Sequence, residues 1–175
     1  CIRDRIRAHN EVNENKSGRH KEERRFLGNW IKIYNPQNDE DDIFAVTIHE
    51  LSHASHWNYK RGSSLDETES KVKESWANGV MWSLTTLDYP DYEGGPTSPP
   101  FYTHVVVDMI DRKFSSQIDN LNKGKWDDDV TGYTIKQIED ALVGEKTWND
   151  WRDNIKNKFD NDTEENLDAL FNHWD

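Results

Sequence analysis

Cysteine is almost absent from this chain of 175 residues, which holds only Cys1. A single cysteine excludes a disulfide bond within the chain, so the fold cannot depend on such a cross-link. Long apolar runs are missing as well, and no stretch of the sequence is long enough to cross a membrane as a helix.

Positive charge is also scarce. Lysine and arginine number 22 against 34 aspartates and glutamates, which leaves a net charge of −12. Such a charge disfavours binding to nucleic acid or to anionic lipid through bulk electrostatics. We therefore expect no nucleic acid as the partner, and the chain should have no transmembrane segment.

Proline is rare outside one segment. Four of the five prolines lie between residues 88 and 100, which predicts a loop there. The chain shows no internal repeat, and its length suits one domain with a substantial core. We predict a single domain over residues 1–175, with site helices at about 40–86 and a C-terminal helical part at about 126–175.

Histidine and glutamate form the most informative pattern, which is His49-Glu50-Leu51-Ser52-His53. Residues four apart lie on one face of a helix, so His49 and His53 can reach the same metal ion. Zinc accepts neutral imidazole nitrogens and prefers four ligands in a tetrahedron. Glu50 flanks that face, where its carboxylate could take a proton from a metal-bound water. The pattern predicts a zinc-dependent hydrolase, in the first place a peptidase.

The surrounding residues favour a helix with two distinct stripes. The acidic run from Asp39 to Asp42 suits the positive end of a helix dipole. The apolar stripe consists of Phe44, Ile48 and Leu51. The second stripe carries the histidines and consists of Val46, His49, His53 and His56 or Trp57. A core face next to a separate histidine face fits the wall of a metal cleft.

His56 is a weaker candidate ligand. It lies about 10.5 Å from His49 along a helix axis, so the two cannot share one ion while the helix persists. Pairing His53 with His56 would leave His49 and Glu50 without a role. We interpret His56 as a residue of the cleft wall or a support for the ligands.

The third ligand must come from another segment. Residues 58–64 read as a turn with Gly62 at its centre. Ser64 with Glu67 forms a candidate capping box for a second helix that runs to about Leu84. Two helices joined by a short turn usually lie antiparallel, so the second helix should return past the histidines.

Glu74 is the carboxylate that this arrangement brings closest to the histidine pair. Folding the chain back places position 73 opposite the midpoint of His49 and His53. Glu67 and Glu69 would lie beyond the pair. We therefore predict a site of two histidines and Glu74, with a fourth position open for water.

The motif and the later segment that begins at Glu74 resemble the gluzincin group of zinc metallopeptidases, which includes the thermolysin-like enzymes and the zinc aminopeptidases. In that group a glutamate follows the motif by about twenty residues, and here Glu74 lies 21 positions after His53. The resemblance covers roughly residues 44–82. It implies that His49, His53 and Glu74 bind zinc and that Glu50 is the general base.

Two positions depart from the thermolysin-like pattern. An acidic residue one turn after the glutamate ligand orients a zinc-bound histidine in those enzymes, and Asn78 stands at that place here. Its amide oxygen could still accept an N–H bond, although it would raise the ligand's basicity less than a carboxylate. Lys73 stands where those enzymes have asparagine. No motif for binding a substrate amino terminus is visible.

The expected fold class is mainly α, within α+β. The resemblance implies a zincin-like helical core with a small N-terminal sheet or edge strand, and the rest of the sequence predicts a C-terminal helical bundle. Trp30 to Tyr34 reads as a strand, either an edge strand that pairs with an extended substrate or a plain structural one. Helix starts are predicted at Thr134, Thr147 and Asp162.

The proposed chemistry needs a donor for the oxyanion, and five residues are candidates by type alone: Tyr89, Tyr92, Tyr102, His104 and Tyr133. The expected partner is a peptide or protein substrate. One alternative is a non-catalytic, zinc-containing module for surface binding or assembly that keeps a peptidase-like fold. Another is a zinc enzyme that acts on something other than peptides.

The chain begins at Cys1 without a methionine. We interpret this as a fragment start rather than as a lipid-modified cysteine. The residues from Ile2 to Arg7 are expected to be helical, unlike a flexible tether after a lipid anchor. Location is left open, with an extracytoplasmic or secreted one suspected.

Overall fold

The computed structural model describes seven parts of the chain, which are residues 5–8, 18–21, 30–34, 39–59, 67–92, 100–110 and 129–175. Across these residues the fold is mainly helical, with a short three-stranded sheet near the N-terminus. The prediction of a mainly α fold is confirmed at this level. None of the helices in these parts is long and apolar enough to cross a membrane.

The sheet has the strand order β1-β3-β2, with β1 at Arg5–Ala8, β2 at Gly18–Lys21 and β3 at Trp30–Ile33. β1 pairs with β3 in parallel and β2 pairs with it antiparallel. The predicted strand at Trp30 is therefore confirmed, but it is central in the described sheet, which fits the plain structural interpretation. The helix expected from Ile2 to Arg7 is wrong for residues 5–7, because polar and apolar residues alternate there and pair with β3. Residues 2–4 lie outside the described residues.

Helix α1 spans Glu40–Tyr59 and begins inside the predicted acidic run. The sheet packs against one of its faces through the buried side chains of Ile31 and Ile33. On the helix side the contact is made by Ala54 and three partly buried residues, Ile43, Val46 and Leu51. This packing places the strands against the face of α1 that holds Val46 and Ala54.

Helix α2 spans Ser70–Asp88 and runs back along α1. The Trp76 indole, 1% exposed, donates to the Ser52 carbonyl oxygen at 3.3 Å. Met81, which follows Trp76 in α2, packs with Ala45, which precedes Ser52 in α1. Later residues of α2 thus meet earlier residues of α1, and the predicted antiparallel return is present.

The start of α2 differs from the prediction. A capping box at Ser64 would begin the helix near position 65, yet α2 begins at Ser70 after Glu69, and Ser64 itself lies outside the described residues. The Glu69 carboxylate accepts the backbone N–H of Trp148 at 2.8 Å instead of capping its own helix. The residue before the first turn of α2 is therefore held by contacts with residues that are distant in sequence.

Within residues 100–110 and 129–175 there are four further helices, α3 at Val105–Ile110, α4 at Ile135–Ala141, α5 at Trp148–Lys158 and α6 at Leu167–His173. They pack with α2 around the largest apolar cluster, which includes Trp76, Val106, Trp151, Leu170 and Phe171. This cluster supports α2 through the buried side chains of Val72, Trp76 and Val80.

Local capping signals in the C-terminal part were correct in two of three cases. Thr134 forms the predicted capping box with Gln137, and the Thr147 hydroxyl accepts the Asp150 N–H. The third start is wrong at Asp162, whose φ is 69°, because a short 3₁₀ turn at Glu164–Asn166 precedes α6.

Gly79 allows α2 and α3 to approach each other closely. A methyl group at this position would lie 2.3 Å from the Val106 Cβ atom, well inside van der Waals contact. Since α3 directly follows the segment at residues 100–104, the contact also brings that segment to α2.

We expect Gly79→Ala to lower the free energy of unfolding by about 1–3 kcal/mol, because the added methyl group overpacks the contact with Val106. Urea denaturation measures the change. The sign is informative, since alanine in an open helix position would raise stability by up to about 1 kcal/mol over glycine. A stabilised variant would contradict the close approach of the two helices.

Candidate metal centre

The two motif histidines point their ring nitrogens at the same place. His49 and His53 lie one turn apart on α1, and their Nε2 atoms are 3.1 Å from each other. The rings meet edge to face with centroids 4.7 Å apart. Helical spacing alone brings the rings together, as the pentapeptide predicts.

Glu74 completes the group from α2. Its Oε2 atom lies 3.4 Å from His49 Nε2 and 3.3 Å from His53 Nε2. The three predicted ligands therefore meet within the described residues, and this group could hold a metal ion.

The size of this triangle suits a small divalent ion. Ligands at 2.0–2.1 Å from a tetrahedral zinc lie roughly 3.3 Å from one another. The three atom pairs, at 3.1, 3.4 and 3.3 Å, have nearly that separation. The side chains keep 15%, 13% and 24% of their surface exposed for His49, His53 and Glu74, so the centre can be reached from solvent.

The protonation states also suit a metal site. Burial lowers the pKa of His49, which favours the neutral imidazole that a metal requires. Burial would raise the pKa of Glu74, but the hydrogen bonds from His49 and His53 outweigh it and hold the pKa well below its usual value. The group therefore presents an ionised Glu74 carboxylate next to a His49 ring whose neutral form is favoured.

Glu50 follows His49 in α1, and its side chain faces strand β2 of the sheet. It is 6% exposed, and a methyl group on Gly18 of β2 would lie 2.7 Å from its Oε1 atom. Glycine at position 18 thus leaves the space that the Glu50 side chain occupies. Sequence reasoning missed Gly18, because its effect comes from a strand more than thirty positions away.

Tyr102 is the candidate donor that lies at the centre. Its ring is 6.2 Å from the His49 ring, and its side chain lies close enough to Glu74 for the two groups to interact. Burial raises the pKa of Tyr102 to about 12, with contributions from the charge of Glu74, the hydrogen bond to it and the charge of Glu50.

The other four candidate donors have different surroundings. Tyr89 packs against Phe44, His104 against Trp174, Tyr92 with Ala45 and Met81, and Tyr133 in the C-terminal core. Residue type alone could not show which of the five candidates lies at the centre, since this depends on how residues 100–104 lie against α2.

The two predicted supporting residues are both buried on the site helices. Asn78 is 3% exposed on α2, and His56 is 1% exposed on α1. In the described part of the chain, the hydrogen bonds of the two ligand imidazoles run to each other and to Glu74. The orienting role of Asn78 stays a prediction, and His56 lies outside the group that could hold the ion.

Comparison of the chain with protein-family models, with curated proteins and with solved structures gives no match.

Proposed function

We propose that this protein is a zinc-dependent metallopeptidase with a zincin-like core of α1, α2 and the adjoining sheet. The observation that carries the proposal is the triangle of donor atoms from His49, His53 and Glu74, with Glu50 next to His49 in α1. A site that only stabilises the fold needs no base, so Glu50 favours hydrolysis.

The donor set and its spacing support zinc. Imidazole nitrogens suit zinc, copper, iron and nickel, and a site with two histidines and a carboxylate also binds iron(II) in other proteins. The separation of the donor atoms fits the short bonds of tetrahedral zinc. A zinc ion held there supplies Lewis acidity, which makes water a nucleophile near neutral pH.

Glu50 moves the proton in the proposed reaction. Its carboxylate accepts a proton from the attacking water and then delivers it to the nitrogen of the leaving amine. Glu50 follows the candidate ligand His49 in α1 and is bordered by β2 at Gly18, which supports this role. Burial of the side chain keeps few solvent molecules in competition for that proton.

Metal removal and restoration test the function directly. We expect about one zinc per chain after purification, hydrolysis of members of a broad peptide library, and loss of that hydrolysis on treatment with a chelator. Adding zinc back should restore activity, and iron(II) and manganese(II) at equal concentration serve as comparison metals.

The outcomes separate the proposal from its alternative. Full zinc content with no hydrolysis of any peptide would favour the non-catalytic, zinc-containing module. Activity that returns with iron(II) but not with zinc would contradict the metal assignment.

A further inference from the structure

The segment that carries Tyr102 is tied to α2 on both sides of the tyrosine. The Ser75 hydroxyl donates to the carbonyl oxygen of Phe101 at 3.2 Å. The Thr103 hydroxyl donates to Ser75 Oγ at 2.8 Å. Ser75 therefore holds the residue before Tyr102 and the residue after it.

Both hydroxyl groups of this tie are fully buried. Ser75 and Thr103 are each 0% exposed, and Thr103 Oγ1 also accepts the backbone N–H of Val105 at 3.4 Å, at the start of α3. Water cannot easily replace a lost partner in such a place, so breaking one bond shifts the segment or leaves a buried polar group unsatisfied.

The tie and the metal centre share one turn of α2. Ser75 follows Glu74 directly. The Tyr102 ring lies 6.2 Å from the His49 ring and its side chain is close to Glu74, while the residues on either side of Tyr102 bond Ser75. The same stretch of helix thus supplies a candidate metal ligand and the anchor for the residue that supports this ligand. Carboxylates that bind metals are oriented by such hydrogen bonds, which commonly affect metal affinity 10- to 100-fold.

We propose that Ser75 and Thr103 are positioning residues that hold the Tyr102 hydroxyl on Glu74 and so orient this carboxylate for the metal. The proposal rests on the metal centre of the proposed function but not on peptide hydrolysis. Ser75 and Thr103 act through Tyr102, and neither is needed as a ligand.

A double-mutant cycle on zinc affinity tests this role in the full chain. The dissociation constant of zinc is measured by competition with a chromophoric chelator, and cobalt(II) absorption spectra report the geometry of the centre. We expect Tyr102→Phe to weaken zinc binding about tenfold or more. Ser75→Ala and Thr103→Val should each weaken it about tenfold, and neither should add a further loss in the Tyr102→Phe background.

Two variants separate positioning from general damage to α2. Thr103→Ser keeps the hydroxyl group and should bind zinc like the wild type. Thr86→Val removes a hydroxyl bond of similar kind, from Thr86 Oγ1 to the Trp82 carbonyl oxygen at 3.0 Å on the same helix, and should also leave zinc affinity unchanged.

Three results would overturn the proposal. They are an unchanged zinc affinity in Tyr102→Phe, an equal loss from Ser75→Ala with and without the Tyr102 hydroxyl, and no zinc binding by the wild type. The last result would also remove the metal centre. A wild type that binds zinc without cleaving peptides would refute the proposed function alone and leave this cycle fully measurable.

Discussion

We expect replacement of Glu50 with glutamine to lower kcat/KM for the proposed peptide hydrolysis by about 10²–10⁴-fold and to leave the zinc content at the wild-type level. A positioned general base contributes a factor of this size, and glutamine cannot accept the proton. Glutamine has nearly the same shape, so it fits the space between α1 and Gly18 and preserves the ligand triangle. Peptide kinetics and metal analysis on the same preparations measure both effects.

A matched substitution controls for the loss of one negative charge. Glu165→Gln removes an exposed carboxylate from the 3₁₀ turn at Glu164–Asn166 and should retain full activity. Wild-type rates in Glu50→Gln would refute the role of Glu50 as the base. Loss of zinc from Glu50→Gln would show instead that Glu50 takes part in holding the ion.

Removing the third ligand should have the larger effect on the metal itself. We expect Glu74→Ala to weaken zinc binding by about two to three powers of ten. Zinc sites with four ligands provide roughly 10–16 kcal/mol, or about 3 kcal/mol per ligand. The two histidines would remain as a pair on α1, a poorer site than the triangle with Glu74. Chelator competition measures the dissociation constant.

Glu67→Gln is the control for Glu74→Ala. Glu67 lies before the start of α2, is exposed and pairs with Lys146, so its charge is remote from the histidines. Zinc affinity should not change in this variant. If Glu74→Ala keeps the wild-type zinc affinity, the assignment of the third ligand is wrong.

Local spacing was enough to predict the histidine half of the centre. His49 and His53 face one point because both lie on one helix, whose geometry is the same wherever it packs. The capping residues Thr134 and Thr147 were found for the same reason, since each bonds a backbone group three residues away. Such interactions need no knowledge of the rest of the fold.

The position of Glu74 beside the two histidines was harder to predict, but this position is confirmed. It required the second helix to return along the first, and the turn at Gly62 suggested that return even though the predicted start of the helix was wrong. An error of several residues at the helix start was tolerated. The choice of Glu74 depended on its distance from the turn, and the helix start did not enter into it.

The sequence by itself determined the pair of histidines, the neighbouring glutamate and the mainly helical character, because these follow from spacings within one or two turns. Only the tertiary structure decided which of five candidates reaches the centre, that Gly18 borders Glu50, and that Ser75 anchors the segment around Tyr102. Each of these depends on contacts between segments more than twenty residues apart. Such contacts are set by the packing of whole helices and strands, which no local pattern encodes.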